Sequence, residues 1–256
     1  MRGAIIGDIA GSAYEFNTVK SKDIELFPEE AEFTDDTVLT IAVADAILHN
    51  NPYRKSILHW ARKYPNESYG SRFREFLGSD NPKPYNSYGN GSAMRVSPVG
   101  WAFESEAEVL EHARLSAKVS HNHPEGIKGA QAVALAIFLA RRGASKDEIR
   151  ERISNEFGYN LRRMLDEIRP TYTFDETCQG TVPEAIISFL ESTGYEDAIR
   201  NAISLGGDAD TLAAITGSIA EAFYGAVPGN LLAEGLDRLD VEIIELIEEF
   251  LLRFGE

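Results

Sequence analysis

From Leu212 onward, apolar side chains recur at Leu212, Ile215, Ile219 and Phe223, with Ala213, Ala214, Gly217 and Ala220 as small neighbours. Spacings of three and four put these residues on one helical face, and the small neighbours let another element approach closely. The pattern predicts a central, closely packed helix. The same period repeats along the chain and predicts helices over 3–14, 36–49, 53–64, 70–77, 92–103, 105–119, 124–142, 145–157, 160–168, 181–192, 195–205, 210–224 and 239–253. Strand-like alternation is nearly absent. The longest loops, 78–91 and 170–180, are rich in Pro, Gly, Asn and Tyr rather than in the Ser and Gly of flexible linkers. With no repeat at a solenoid period and no low-complexity tract, one compact all-α domain over 1–256 is expected.

Composition narrows the partners. The chain of 256 residues is 43% apolar, enough for a sizeable core. Asp and Glu number 41 against 25 Lys and Arg, a formal charge of −16. Such a chain repels nucleic acid and anionic membranes at long range, so neither is an expected partner. Cys178 is the sole cysteine, which excludes an internal disulfide and suits a reducing cytoplasm. No apolar run reaches the ~18 residues of a membrane span, and Asp8 interrupts the apolar N-terminus before a signal-peptide core forms. A cytoplasmic monomer is expected.

The chemistry concentrates at two helix starts. Gly206-Gly207-Asp208-Ala209-Asp210-Thr211 sets two carboxylates and a hydroxyl behind paired glycines that make a tight turn easy. Far upstream, Thr34-Asp35-Asp36-Thr37 again stands directly before an apolar helix. Asp and Thr are ordinary caps, and acidic side chains are favoured at the positive end of a helix. Capping needs one carboxylate per helix, however, whereas these starts bring four. Brought face to face, they would repel unless cations lay between them. Short oxygen ligands with no soft donor favour Mg²⁺ or Mn²⁺, and two clusters suggest two ions.

Two further stretches are informative. The loop 86–95 alternates Gly with Asn and Ser ahead of a helix, a shape that either receives an anion on backbone N–H groups or simply enters the helix. It lacks the lysine of a P-loop and follows no strand. In Ser120-His121-Asn122-His123-Pro124-Glu125 the histidines lack zinc spacing, which leaves helix capping or an imidazole that donates to a sugar or phosphate. His49, His59 and His112 carry no pattern. GxSxG, HExxH and CxxC are all missing. An EF-hand begun at Asp208 would need Glu at its twelfth position, where Ile219 stands.

These residues carry a resemblance. GAIIGDIAGSAYEF at 3–16, FTDDT at 33–37, GNGSAMR at 89–95, SHNHPEGIKGA at 120–130 and GGDADT at 206–211 occur in the order found in the ADP-ribosylglycohydrolase family, which the chain resembles over most of its length. The resemblance implies an orthogonal all-α bundle with a dinuclear Mg²⁺ centre in a central cleft. It implies that Thr34, Asp35, Asp36, Asp208, Asp210 and Thr211 hold the metals. Glu15 matches the acidic residue that ends the first motif, and it or Asp36 is the expected general base. Asn90, Gly91, Ser92 and Met94 would line the ADP-ribose cleft, with His121 on the ribose or pyrophosphate. Asp8 and Arg95 fall in matched motifs with either a structural or a functional role.

The implied reaction is hydrolysis of the glycosidic bond between ADP-ribose and an acceptor, a protein side chain or a small molecule. It builds oxocarbenium character that carboxylates and an activated water can serve. Two other readings stand beside it. One is an all-α Mg²⁺-dependent nucleotide pyrophosphatase using Glu242, Glu245 and Glu249, whose charge is more simply a solvated helix face. The other is a non-catalytic ADP-ribose-binding module, which would have less need of complete acidic clusters.

Overall fold

The computed structural model describes residues 1–255, and every regular element among them is a helix. The first half of the chain forms α1 (Arg2–Ser12), α2 (Asp35–Leu48), α3 (Tyr53–Lys63), α4 (Ser71–Gly78), α5 (Gly91–Met94), α6 (Ser97–Ala102) and α7 (Glu106–Ala117). The second half forms α8 (Pro124–Arg141), α9 (Lys146–Phe157), α10 (Leu165–Ile168), α11 (Cys178–Leu190), α12 (Tyr195–Ile203), α13 (Ala209–Tyr224), α14 (Gly229–Leu236) and α15 (Val241–Phe254).

Three elements depart from the sequence pattern. The helix expected over 92–103 is two, because Pro98 has no N–H for the carbonyl of Met94 and the chain restarts at Ser97. Of 160–168 only Leu165–Ile168 is helical, since the Asn160 side chain accepts from the Arg162 amide and holds a turn there. α14 was not expected, because Pro228, Gly229 and Asn230 read locally as a turn. Its Gly235 lies so close to Ile6 of α1 that a Cβ there would stand 2.2 Å from Ile6 Cδ1.

The interior organises around the antiparallel pair α1 and α13. Gly3, Gly7 and Gly11, spaced by four, lie on one face of α1. A Cβ on them would stand 2.3, 2.2 and 2.4 Å from the carbonyl oxygens of Gly217, Ala213 and Ala209. Only glycine permits this backbone approach. The order of contacts fixes the direction: the start of α1 meets the end of α13, and the end of α1 meets the start of α13. On its other faces α1 feeds two apolar clusters. Ile6 and Ala10 join the one built by α8, α11, α12 and α13. Ile5 and Ile9 join the one that contains Val38, Leu39 and Ile41 of α2, Trp60 of α3, Phe73 of α4 and Phe250 of α15. Each of these buried isoleucines contributes about 1.5–3 kcal/mol, so α1 is held from both sides.

Candidate metal centre and substrate cleft

Because α1 and α13 run antiparallel, the residues that follow α1 return to the start of α13. Glu15 therefore meets Asp208 and Asp210, and carboxylate oxygens of all three lie within 4.8 Å of one another. The middle of α1 reaches α2. Asp8, fully buried, accepts from the Thr34 amide (3.0 Å), the Thr34 hydroxyl (2.7 Å), the Thr37 amide (3.0 Å) and the Thr37 hydroxyl (2.5 Å). One helix thus positions both acidic helix starts. Asp8 has a structural role: it anchors α2.

Capping does not account for the carboxylates. At α2 the cap is Thr34, whose hydroxyl accepts from the Asp36 amide at 3.2 Å. At α13 the N-cap residue Asp208 makes no capping bond with its side chain. Asp210 accepts from the adjacent Thr211 amide at 2.8 Å. The turn ahead of α13 is the expected one, with Gly206 and Gly207 at φ +69° and +82°.

Mutual repulsion and burial set the protonation of the cluster. Burial, then Asp210 and Asp8, push the Glu15 carboxyl up to about 8. Burial, then Asp210, Asp8 and Glu15, raise Asp35 to about 8 against an opposing hydrogen bond from Ser68. Asp36 and Asp210 are held well above the carboxylate range, by burial first and by neighbouring carboxylates second. Burial lifts Asp8 and Asp208 to about 6.

The donor set fits divalent cations. Asp36 Oδ1 is buried with no hydrogen-bond partner, and its Oδ2 accepts from the Thr211 hydroxyl at 3.3 Å. An orphaned carboxylate oxygen inside a ring of repelling carboxylates is the arrangement a hard cation satisfies. Glu15, Asp35, Asp36, Asp208, Asp210 and Thr211 all face one cleft, while Thr34 stands behind its wall.

The opposite wall is the loop 86–91. It is tied down where the Asn90 amide donates to Glu176 O (2.8 Å) and the Cys178 amide to Tyr88 O (2.9 Å), beside an isolated bridge between Gly89 and Thr177. Asn90, Gly91, Met94 and His121 line the cleft. The Asn90 side-chain amide is engaged by the cluster itself, donating to Asp208 Oδ2 at 2.6 Å and to Thr181 Oγ1 at 3.0 Å. Ser92 does not reach the cleft: it is fully buried and its hydroxyl donates to Gly126 O at 2.7 Å. His123 takes the capping role, accepting from the Glu125 amide at the start of α8. Cys178 is a buried thiol, raised to about 12 by burial.

Several lining residues gave no sequence signal. Arg72 lies over the Tyr85 ring with its guanidinium carbon 5.0 Å from the centroid, and both line the cleft with Arg95. At the mouth, Phe16 beside Glu15 stacks on Phe174, with centroids 6.4 Å apart and the planes 16° from parallel. Arg72 sits in a stretch that neither spacing nor motif marks, and Phe16 closes the first motif without a role read from it. Glu242, Glu245 and Glu249 stand on the exposed face of α15, with Glu242 paired to Lys63, and none lines the cleft. The ligand set of the pyrophosphatase reading is a solvated face.

Comparison with known proteins agrees with this geometry. The sequence profile of the ADP-ribosylglycohydrolase family matches residues 1–256, and the chain belongs to that family. It is 30% identical to ADP-ribosylhydrolase ARH3 of Homo sapiens, over 88% of this chain and 84% of the relative. It is 27% identical to ADP-ribosylarginine hydrolase Tri1 of Pseudomonas putida, over 87% of this chain and 69% of the relative. A solved structure described as an ADP-ribosylglycohydrolase-related protein complex superposes with a TM-score of 0.72 at 25% identity, covering 100% of this chain and 97% of the other. Among the described residues no helix is long and apolar enough to cross a membrane.

Proposed function

We propose that the chain is a metal-dependent hydrolase that cleaves the glycosidic bond between ADP-ribose and its acceptor, with two Mg²⁺ or Mn²⁺ held by Asp35, Asp36, Asp208, Asp210 and Thr211; the Thr34 hydroxyl, spent on Asp8 and on capping α2, is not among the ligands. The observation that carries this reading is the convergence of two acidic helix starts and Glu15 on one cleft, opposite a glycine-rich loop and His121. Bound cations would neutralise the carboxylates, grip vicinal ribose hydroxyls and polarise a water.

The chain's own residues supply the rest. Glu15 is half-buried and lines the cleft beside Asp208 and Asp210, which places its carboxylate to take the proton of the attacking water. Asp36 is the weaker candidate for base, because one oxygen accepts from Thr211 and the other is sealed from solvent. The carboxylates lie where positive charge develops at the anomeric carbon. Arg72 and His121 offer donors to the pyrophosphate, and the buried Arg95 adds positive potential, in a chain of formal charge −16. A single buried cysteine fits a reducing cytoplasm.

The test is release of ADP-ribose from arginine-linked and serine-linked ADP-ribosylated peptides, with and without EDTA, followed chromatographically. Release from at least one peptide, abolished by EDTA and restored by Mg²⁺ or Mn²⁺, is expected. No release from either with metal present returns the cleft to a binding role.

A further inference from the structure

Arg95 is the largest of the fully buried side chains. Its Nη2 donates to Ser116 O and to Ser120 Oγ, both at 3.0 Å, while Nε and Nη1 have no hydrogen-bond partner. The Ser120 oxygen lies 2.8 Å from His121 Nδ1, and Ser120 is itself fully buried. A guanidinium only donates. Ser120 Oγ therefore accepts from Arg95, and its own proton has to find an acceptor among the groups around it. The Nδ1 lone pair of His121 is the acceptor within reach. Were Nδ1 protonated, Ser120 would face two donors and its buried proton would go unsatisfied, which is the costly arrangement.

We propose that Arg95, acting through Ser120, locks His121 as the neutral Nε2–H tautomer and so makes it a fixed hydrogen-bond donor on the cleft wall. The locked N–H faces the glycine loop: a Cβ on Gly91 would stand 3.1 Å from Nε2, and one on Gly89 3.5 Å, so the two glycines keep space around it. Burial, with Arg95 and Arg72 nearby, also holds the imidazole well below its ordinary value, which excludes the doubly protonated ring near neutrality. The cleft then has acceptor carboxylates on one wall and a donor on the other. The group it fixes at His121 is one that only needs to accept, a phosphoryl or ribosyl oxygen. Arg95 is a positioning residue here: it borders the cleft, but its guanidinium is fully buried and its Nη2 is spent on Ser116 and Ser120. The ligand in this inference rests on the functional reading above; the tautomer does not.

The experiment is a long-range proton–nitrogen correlation spectrum of the histidine rings, combined with calorimetric titration of ADP-ribose in Mg²⁺. In the unaltered protein His121 shows a protonated Nε2 and a bare Nδ1 from pH 6 to 8. In Ser120→Ala the ring shifts move toward the other tautomer or an average of the two, and ADP-ribose binds about three- to tenfold more weakly, the loss expected for one neutral hydrogen bond. Arg95→Met moves both readouts the same way. A protonated Nδ1 in the unaltered protein overturns the proposal, as do unchanged ring shifts in Ser120→Ala whatever the affinity does. Failure of the unaltered protein to bind ADP-ribose counts against the functional reading alone, because the ring nitrogens decide the tautomer by themselves.

Discussion

The hydroxyl of Thr211, in the first turn of α13, donates to Oδ2 of Asp36, in the first turn of α2, at 3.3 Å across 175 residues of chain. Two helix N-termini, each carrying carboxylates that do not cap it, are thereby held face to face. Helix ends favour negative charge by about 0.3–1 kcal/mol apiece. That is small beside the repulsion that raises Asp35, Asp36 and Asp210 together. The stability lost by this crowding is available to a cation.

Removing one of these charges separates ligation from folding. Asp36→Asn and Asp210→Asn preserve shape and relieve repulsion, so the metal-free proteins melt at or above the temperature of the unaltered chain at pH 8. Metal affinity falls by more than about 100-fold, beyond the 10–100-fold cost of losing an outer-shell partner. Calorimetric titration with Mn²⁺ reads the affinity and thermal melting in EDTA reads the stability. Intact metal binding in both variants would falsify the ligand assignment.

The pH dependence of the metal-free protein follows from the same shifts. Glu15 and Asp35 titrate near 4 when unfolded and near about 8 when folded. Between those values the folded state binds more protons, so stability is full at low pH and is lost as pH rises through 8. In EDTA the melting temperature should fall by several degrees from pH 5 to pH 8.5, and excess Mg²⁺ should flatten the slope. A melting temperature that holds or rises over that range in EDTA speaks against the shifts.

Asp8 should behave oppositely to Asp36. Four donors from Thr34 and Thr37 converge on its carboxylate. An amide offers one accepting oxygen and turns N–H groups toward donors. Asp8→Asn should cost about 1.5–3 kcal/mol, as for a lost hydrogen bond to a charged group, and weaken metal binding through the displaced start of α2. Denaturant unfolding in EDTA decides it, and unchanged stability removes Asp8 from its anchoring role.

Gly7→Ala tests the helix pair that carries Glu15 to the cluster. Its Cβ would stand 2.2 Å from the Ala213 carbonyl oxygen, and backbone cannot rotate away as a side chain can. A loss of at least the 1–3 kcal/mol typical of overpacking is expected, with hydrolysis impaired further because Glu15 moves from Asp208 and Asp210. A variant of normal stability and activity argues that the two helices can separate freely.

Glu15→Gln addresses catalysis. The change keeps volume and removes the charge, so ADP-ribose binding should persist while kcat falls by roughly the 10²–10⁴-fold of a lost general acid or base. Rates at saturating substrate and metal, beside a direct binding measurement, make the comparison. Near-normal kcat would pass the proton-accepting role to Asp36.

What the sequence determined by itself was local. Periodicity located most of the helices, paired glycines foretold the left-handed turn at Gly206 and Gly207, and the surplus of carboxylates at 34–37 and 208–211 argued against simple capping. Asn90, Gly91, Met94 and His121 were named through the family resemblance, because a Gly-rich loop and a histidine pair by themselves read equally as a helix entry and a cap. Each of these signals lies within a few residues of chain, where backbone geometry and side-chain chemistry act directly. The tertiary structure decided what depends on partners far away. The Gly3, Gly7 and Gly11 spacing is visible in the chain, but its meaning required the carbonyls of α13 opposite it. Asp8 became an anchor only against Thr34 and Thr37. Ser92 turned into the core toward Gly126, and α14 formed against Ile6 despite its turn-like start. Arg95 acquired a task only once Ser120 and His121 stood beside it. Hydrogen bonds and close packing between distant segments leave no period in a sequence, because each partner's residue type alone fits several environments and only the folded chain selects one.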